Sequence, residues 1–265
     1  MIKGARWIEI GATTPQQFHD LYRDAAAAQP RNAEPIIFWG KPQPHICLGA
    51  HQSRIAELDP ACPRPIAQRS LGGGAVWLDP RQYCFIMIVP APTWGAPVAW
   101  FDSGLAPLID TYRTFGLGVE RRGRDVWLQG RKIAGSGAAT IGSSALLGSS
   151  FMLQFDDHSF ADAIKCPSCQ YRSMLRKALT GAMTSWQAHA TPPSESEIRM
   201  AFRHHVCERF GWAVYDDDLH TSERLTADDA DEEHVGGAKA VANGIKINEA
   251  TFLLEATFAE GVLTL

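Results

Sequence analysis

The stretch RSLGGGAVWLD, residues 69–79, sets three consecutive glycines between an arginine and a run of strand-forming residues. Glycine inside a strand costs conformational entropy and packs nothing, and a tight hairpin needs only one or two glycines. Gly72, Gly73 and Gly74 therefore read in two ways: as turn punctuation, or as bare backbone that a ligand approaches closely. In the second reading their N–H groups close around phosphate or carboxylate oxygens, and Arg69 supplies a forked donor beside them. A second stretch, GRDVWLQGRKIAGSGAA from residue 123, places Arg131 and Lys132 directly after a turn at Gln129-Gly130 and follows them with Gly135, Ser136 and Gly137. A lysine entering a strand of small residues can hold charge that develops in acyl transfer. It can equally be a solvated hairpin lysine, and taken singly neither stretch decides.

The rest of the chain narrows the classes. Its 265 residues carry a net charge of −4, with 45% hydrophobic and 20% charged residues. That composition excludes disorder and coiled coil and gives no electrostatic footprint for nucleic acid. The N-terminus has no apolar leader segment, so a cytoplasmic protein is expected. The longest strongly apolar run, Tyr83 to Val89, is too short to span a bilayer and reads as a buried strand, without a membrane role. Six cysteines follow no framework spacing and read as free thiols. Cys166 and Cys169 form a CxxC that lacks a second pair or a close histidine pair, so no metal is expected there.

Along the chain, ARWIEIGA predicts a strand, and TTPQQFHDLYRDAAAA a helix capped by Thr13 or Thr14 with Pro15 in its first turn. PIIFWG, HICLGA, the flanks of the triple glycine and QYCFIMIV follow as strands, with a short helix at SRIAEL. A long helix ends at Gly116, then come consecutive Gly/Ser-punctuated strands, then helices at HSFADAI, YRSMLRKAL and SESEIRMAFRHHVCERF. Strands early and helices late indicate an α+β fold. Residues 226–244 are acidic and then small, which reads as a loop or linker. TFLLEATFAEGVLTL reads as a hairpin that must dock, because an isolated hairpin is marginal in water.

Taken together, FWGKPQPHICLGAHQ, QRSLGGGAVWLD, RDVWLQGRKIAGSG and LLGSSFMLQFD occur in the order and spacing of the lipoate-protein ligase A family. They resemble its RRxSGGGAVxHD, NDxxxxGRKIxGSA and HGTLL motifs. IKCPSCQYRSMLRKALTGAMTSW resembles a further family segment more weakly, and the likeness spans roughly residues 5 to 188. The resemblance implies the biotin/lipoate ligase catalytic fold, a mixed sheet flanked by helices. A catalytic domain is expected over residues 1–190, with a C-terminal helix, acidic linker and hairpin over 191–265 either appended to it or part of it. It also implies the activity: lipoate or octanoate activated by ATP with Mg²⁺ as an acyl-adenylate, then passed to a lysine of a lipoyl-carrier protein. In many relatives a small C-terminal domain or separate subunit assists, and an accessory subunit is therefore expected to be an open question here. By resemblance, Lys132 is the catalytic residue at the acyl-phosphate carbonyl. Arg69, Gly72, Gly73, Gly74, Ala75, Val76, Asp79, Asp125, Gly135 and Ser136 would hold the acyl-adenylate.

The departures from the motifs are specific. Gln68 stands for the first of two arginines, Leu71 for Ser or Thr, Leu78 for His, Arg124 for Asn and Leu147 for the His of HGT, and the acidic pair of the first helix is reduced to Asp24. Each removes a polar group, and leucine at two of these positions is expected to make the pocket drier. Such a chain could be a ligase adapted to another acid or carrier, a catalyst needing a partner, or an inactive relative that binds acylated carrier. Octanoyltransferases of the same superfamily need no ATP and use a cysteine nucleophile; Cys166 lies at a comparable distance from Lys132, although KCPSCQ lacks their Pro-Cys-Gly order. Biotin ligase is the weakest match, because GSG follows its shared GRKIAG signal. The histidines, His45 and His51 near the presumed pocket and His204 and His205 on a helix, are expected to be structural or superficial.

Overall fold

The computed structural model describes residues 4–94, 97–223, 244–248, 251–254 and 263–264. The acidic stretch up to residue 243 lies outside them. In chain order the elements are β1 (Gly4–Ile10), α1 (Pro15–Ala28), β2 (Ile36–Gly40), β3 (His45–Leu48), α2 (Arg54–Glu57), β4 (Ile66–Gln68), β5 (Val76–Leu78), β6 (Gln82–Pro90), α3 (Pro97–Thr114), β7 (Glu120–Arg122), β8 (Asp125–Leu128), β9 (Arg131–Ala134), β10 (Ser136–Ile141), β11 (Ser144–Met152), α4 (Asp157–Ala163), α5 (Cys169–Ala182), α6 (Glu195–Phe210), β12 (Ala213–Asp216), β13 (Gly244–Lys246), β14 (Thr251–Leu254) and β15 (Leu263–Thr264).

Six strands form the main sheet in the order β10-β11-β6-β2-β1-β12, parallel from β2 through β1 to β12 and antiparallel from β2 to β10. Its central strands β2 and β6 are buried along their whole length, which is why IIFWG and QYCFIMIVP show no polar alternation. Alternate residues nevertheless divide between two cores. Ile37, Trp39, Phe85 and Met87 face α3 and α6, while Ile36, Phe38, Ile86 and Ile88 face α1. Phe202 of α6 closes the first core against Trp7, Trp39, Phe85 and Phe151.

The helix starts match their sequence signals. Thr14 caps α1 and Ser194 caps α6, each in a reciprocal capping box, with Gln17 and Glu197 respectively. Gly211 ends α6 in the left-handed region at φ 66°. The strand β12 was not legible in the sequence. It extends the main sheet beside β1, and α6 packs against the core under α3, so residues 195–216 are continuous with the main sheet.

Two small sheets flank the large one. Order β4-β3-β5 carries the glycine loop between its strands, and order β7-β8-β9 carries Lys132. Behind them a third core gathers Trp77, Leu58, α4, α5 and Ile247. The C-terminal strands pair as β13-β14-β15. This segment docks through Ile247, which is buried in that core, and through Asn248 Nδ2, which donates to Ala182 O at 3.3 Å.

Candidate active site

The glycine loop is a constructed close approach. Arg69 donates from Nη1 to Cys47 O at 3.0 Å and from Nη2 to Gly72 O at 3.2 Å and Gly74 O at 2.8 Å. The guanidinium therefore braces the loop that follows it in the sequence. Gly72 N donates to Ala138 O at 3.2 Å, seating the loop on β10, where a Cβ at Gly137 would lie 2.7 Å from Gly72 O. A Cβ at Gly49 would lie 2.0 Å from Gly73 O, and Gly73 itself has φ 106°. Three backbones thus meet where side chains have no room. Among the described residues the N–H groups of Gly73, Gly74 and Ala75 donate to no protein acceptor, and Gly73 and Gly74 are exposed. They are available to an anion.

Lys132 arrives on the other wall by an equally local route. Gln129 at φ 50° and Gly130 at φ 77° make the two-residue turn between β8 and β9, with Leu128 opposite Arg131. A register shift between Val126 and Trp127 re-aims the ladder. The far edge of β9 is pinned where Lys132 O accepts from Thr184 N at 2.8 Å. Lys132 Nζ then lies 2.8 Å from Asp125 Oδ1, both side chains largely buried. Gly135 makes the space for this pair: a Cβ there would stand 2.9 Å from Lys132 Nζ. Ser136 Oγ donates to Arg124 O, and Ser149 Oγ to Gly135 O at 2.8 Å, fixing the turn into β10.

Between these walls lies a cavity of about 550 Å³, large enough for a drug-sized ligand. It collects Arg69, Gly72, Gly73, Gly74, Ala75, Val76, Asp125, Lys132, Gly135 and Ser136, residues from two stretches well separated in the sequence. Asp79 and Cys166 lie outside this lining. Asp79 is buried and fully engaged. It accepts from Trp77 Nε1 at 2.8 Å, Arg81 N at 2.8 Å and Arg81 Nε at 2.9 Å, and Arg81 continues to Asp156 at 3.0 Å. Cys166 sits half-buried against the third core, where burial raises its thiol pKa despite Arg172 nearby.

The departures divide in the same way. Leu71 and Leu78 line the cavity, and Leu71 lies over Gly148 so closely that a Cβ there would meet its Cδ1 at 2.6 Å. Leu147 does not dry the pocket, because it points to the opposite side of β11 into the core under α3 and α6. Gln68 turns away to donate to the carbonyls of Gly49, Ala50 and Gln52, and Arg124 enters the cavity wall with its guanidinium 5.4 Å from the Phe101 ring centre.

Several lining residues were missed in the sequence. Phe18, His19 and Tyr22 enter from α1, and Lys246, Ile247 and Asn248 from the C-terminal segment. The α1 residues have a helical signal, positions 18 and 22 sharing a face, but nothing in the sequence says that this face borders a cavity. His45 proves buried and bonded to His19, Nε2 to Nε2 at 3.0 Å. His204 and His205 lie on α6 beside Glu208, at 3.3 and 3.6 Å.

The fold that carries this site has known counterparts. A family model for the lipoyl protein ligase A/B catalytic domain matches residues 20–206. A bipartite lipoate protein ligase from Thermoplasma acidophilum, described with its E2 lipoyl domain, superposes with a TM-score of 0.73 at 18% identity, covering 84% of this chain and 89% of that one. Lipoate-protein ligase A bound with ATP gives 0.69 at 18% identity, covering 84% and 91%. A second T. acidophilum structure, described as a lipoate protein ligase with bound lipoic acid, gives 0.67 at 16% identity, covering 84% and 92%. A search of curated proteins gives no match. The mixed sheet with its flanking helices has the fold of the lipoate ligases, no helix among the described residues is long and apolar enough to cross a membrane, and the chain belongs to the lipoyl protein ligase A/B catalytic-domain family.

Proposed function

We propose that the protein activates lipoate or a related medium-chain acid with ATP as acyl-adenylate and transfers the acyl group to a lysine of a lipoyl-carrier domain. The observation that carries this reading is the Lys132 ammonium, held 2.8 Å from Asp125 on one wall of a cavity whose other wall is the Gly72–Gly74 backbone. In this reading the apolar inner surface, including Leu71 and Leu78, takes the acyl chain. The N–H groups of Gly73 and Gly74 receive phosphate oxygens, and Arg69 keeps them in place. Lys132 sits where the acyl-phosphate carbonyl gains negative charge in both half-reactions, and a fixed cation there lowers both barriers. Asp125 orients Lys132 and limits its reach.

Among the described residues Asp125 is also the one carboxylate in the cavity lining. Since Mg²⁺ binds nucleotides largely through phosphate oxygens and one or two carboxylates, these residues fit an ion carried in on the triphosphate. Bound there, Mg²⁺ would offset phosphate charge. Support for the ligands comes from related structures: a lipoate-protein ligase A bound with ATP, a T. acidophilum structure with bound lipoic acid, and one of a bipartite ligase described with its E2 lipoyl domain. That bipartite example also favours a partner subunit as the thing to supply if the chain alone is slow.

The test is a mass measurement on a lipoyl domain incubated with the protein, Mg-ATP and lipoate or octanoate. The expected outcome is an acyl mass increment on one lysine that requires ATP. Cysteine-based transfer predicts the increment from an acyl-carrier thioester without ATP and its loss in Cys166→Ser. With Cys166 outside the cavity and its thiol pKa raised, Cys166→Ser is expected to keep full activity.

A further inference from the structure

Beneath the glycine loop, on the α1 side, three side chains converge that the proposed chemistry does not use. His45 and Cys47 alternate along β3 and so point to the same face, and His19 of α1 meets them there. Their ligand-type atoms all lie within 4.8 Å of one another, and all three residues are buried. We propose that His19, His45 and Cys47 form a three-coordinate site for a monovalent thiophilic ion, Cu(I).

The rings are already oriented for it. His45 Nδ1 donates to Gln43 O at 2.6 Å, which leaves its Nε2 as a lone pair, the arrangement that metal-bound histidines use to fix tautomer and ring plane. His19 Nε2 lies 3.0 Å from that lone pair, and His19 Nδ1 lies 3.1 Å from Tyr22 Oη. Without an ion the network closes as Tyr22 O–H to His19 Nδ1, His19 Nε2–H to His45 Nε2, and His45 Nδ1–H to Gln43 O. With an ion, the His19 proton moves to Nδ1 and is donated to Tyr22 Oη, while the Cys47 thiol releases its proton to solvent. Both ring nitrogens then face the ion, and the Tyr22 hydroxyl, now accepting from His19, gives up that ring as the acceptor of its own proton. Two nitrogens bound at about 2.0–2.1 Å to one ion in a trigonal arrangement lie roughly 3.5 Å apart, so the present spacing must open by about half an ångström.

Charge decides which ion. The ligand group contains one thiol and no carboxylate, and Arg69 Nη1 lies 3.5 Å from Cys47 Sγ. A divalent ion would leave a net positive charge buried beside a guanidinium, whereas Cu(I) and the Cys47 thiolate sum to zero. Thiolate with imidazole is also a soft set that suits Cu(I). Burial lowers the pKa of His19 and His45 and raises that of the Cys47 thiol, so the rings enter neutral and the ion itself must displace the thiol proton. His19 borders the cavity and gives the ion its way in.

The experiment is anaerobic competition for Cu(I) held by the chromogenic chelator bicinchoninate, using the reduced full chain. The wild type is expected to take one equivalent, and Cys47→Ser and His19→Gln to weaken binding at least tenfold or so. His204→Ala, in the exposed cluster on α6, should leave it unchanged. Thermal melting supplies the control for folding: Cu(I) should raise the wild-type midpoint but neither that of Cys47→Ser nor that of His19→Gln, provided each variant melts cooperatively in its absence. No uptake by the wild type, undiminished uptake by both site variants, or tighter binding of Zn²⁺ than of Cu(I) would overturn the assignment.

Discussion

Replacing Gly135 by alanine places a methyl carbon 2.9 Å from Lys132 Nζ, the movable end of a flexible side chain. Replacing Gly49 places one 2.0 Å from the carbonyl oxygen of Gly73, which is backbone. The two substitutions should separate activity from stability. Gly135→Ala is expected to displace the ammonium from Asp125 and lower the rate of adenylation at least tenfold with a stability change below about 1 kcal/mol. Gly49→Ala is expected to cost about 1–3 kcal/mol of stability as the loop is pushed aside, as well as activity; denaturant unfolding with a parallel rate assay checks both. Glycines announce themselves in a sequence, and so does a lysine after a turn, which is why these walls of the cavity were legible. Direction of side chains was not. Leu147 and Asp79 stand in recognisable motifs, yet one faces the opposite core and the other is spent on Trp77 and Arg81, because a motif records chain position and leaves open which side of a strand a residue occupies. His19 carried no motif signal at all, since its partner His45 is remote in sequence.

At the scale of elements, β1 shows how a single residue ties distant segments together. Arg6 donates to Asp217 and Glu223 and to Asp218 O, joining the sheet to the turn beyond β12. The contact with Arg6 holds the Asp217 carboxyl below its usual pKa; at Glu223 burial is the largest single influence and raises the pKa, but Arg6 and the His220 backbone N–H together outweigh it and leave that carboxyl lowered too. A lowered folded pKa contributes stability above the unfolded value and loses it as pH falls through the folded one. The stabilisation is therefore present at neutral pH and fades below about pH 4.5. Thermal melts of wild type and Arg6→Ala should differ at pH 7 and converge toward pH 3; a gap independent of pH would remove the carboxylates from the explanation. Elements with local signals, the capped helices and the hairpin at Gln129-Gly130, could be placed from sequence. The short strand β12 could not, because AVYD has no periodicity of its own and is a strand only by lying beside β1.

The whole molecule is organised so that one sheet supports two different neighbourhoods. On the α3 and α6 side the aromatic cluster around Phe202 supplies stability; Phe202 itself stays out of the cavity lining, although Phe85 and Trp100 of the same core reach it. Phe202→Ala should cost about 3–5 kcal/mol, read as a lower denaturant midpoint, while the site's binding properties in the still-folded fraction are kept. On the other side, α1, the small sheets and the C-terminal segment enclose the cavity. That enclosure explains what the sequence could not disclose: the family signal concentrates in the two glycine-rich stretches, whereas the remaining walls come from helix and tail residues chosen by packing.

The most direct measurement is acyl-adenylate formation, followed by mass spectrometry of released ligands after incubation with Mg-ATP and lipoate or octanoate, for wild type and Lys132→Ala. Because Lys132 holds charge that develops in the transition state, the wild type should release acyl-AMP and Lys132→Ala should do so about 10²–10³-fold more slowly while still unfolding cooperatively, at a lower denaturant concentration because Asp125 loses its buried partner. Acyl-AMP formed equally fast by a folded Lys132→Ala would contradict the role given to this side chain and with it the reading of the cavity as an adenylation site.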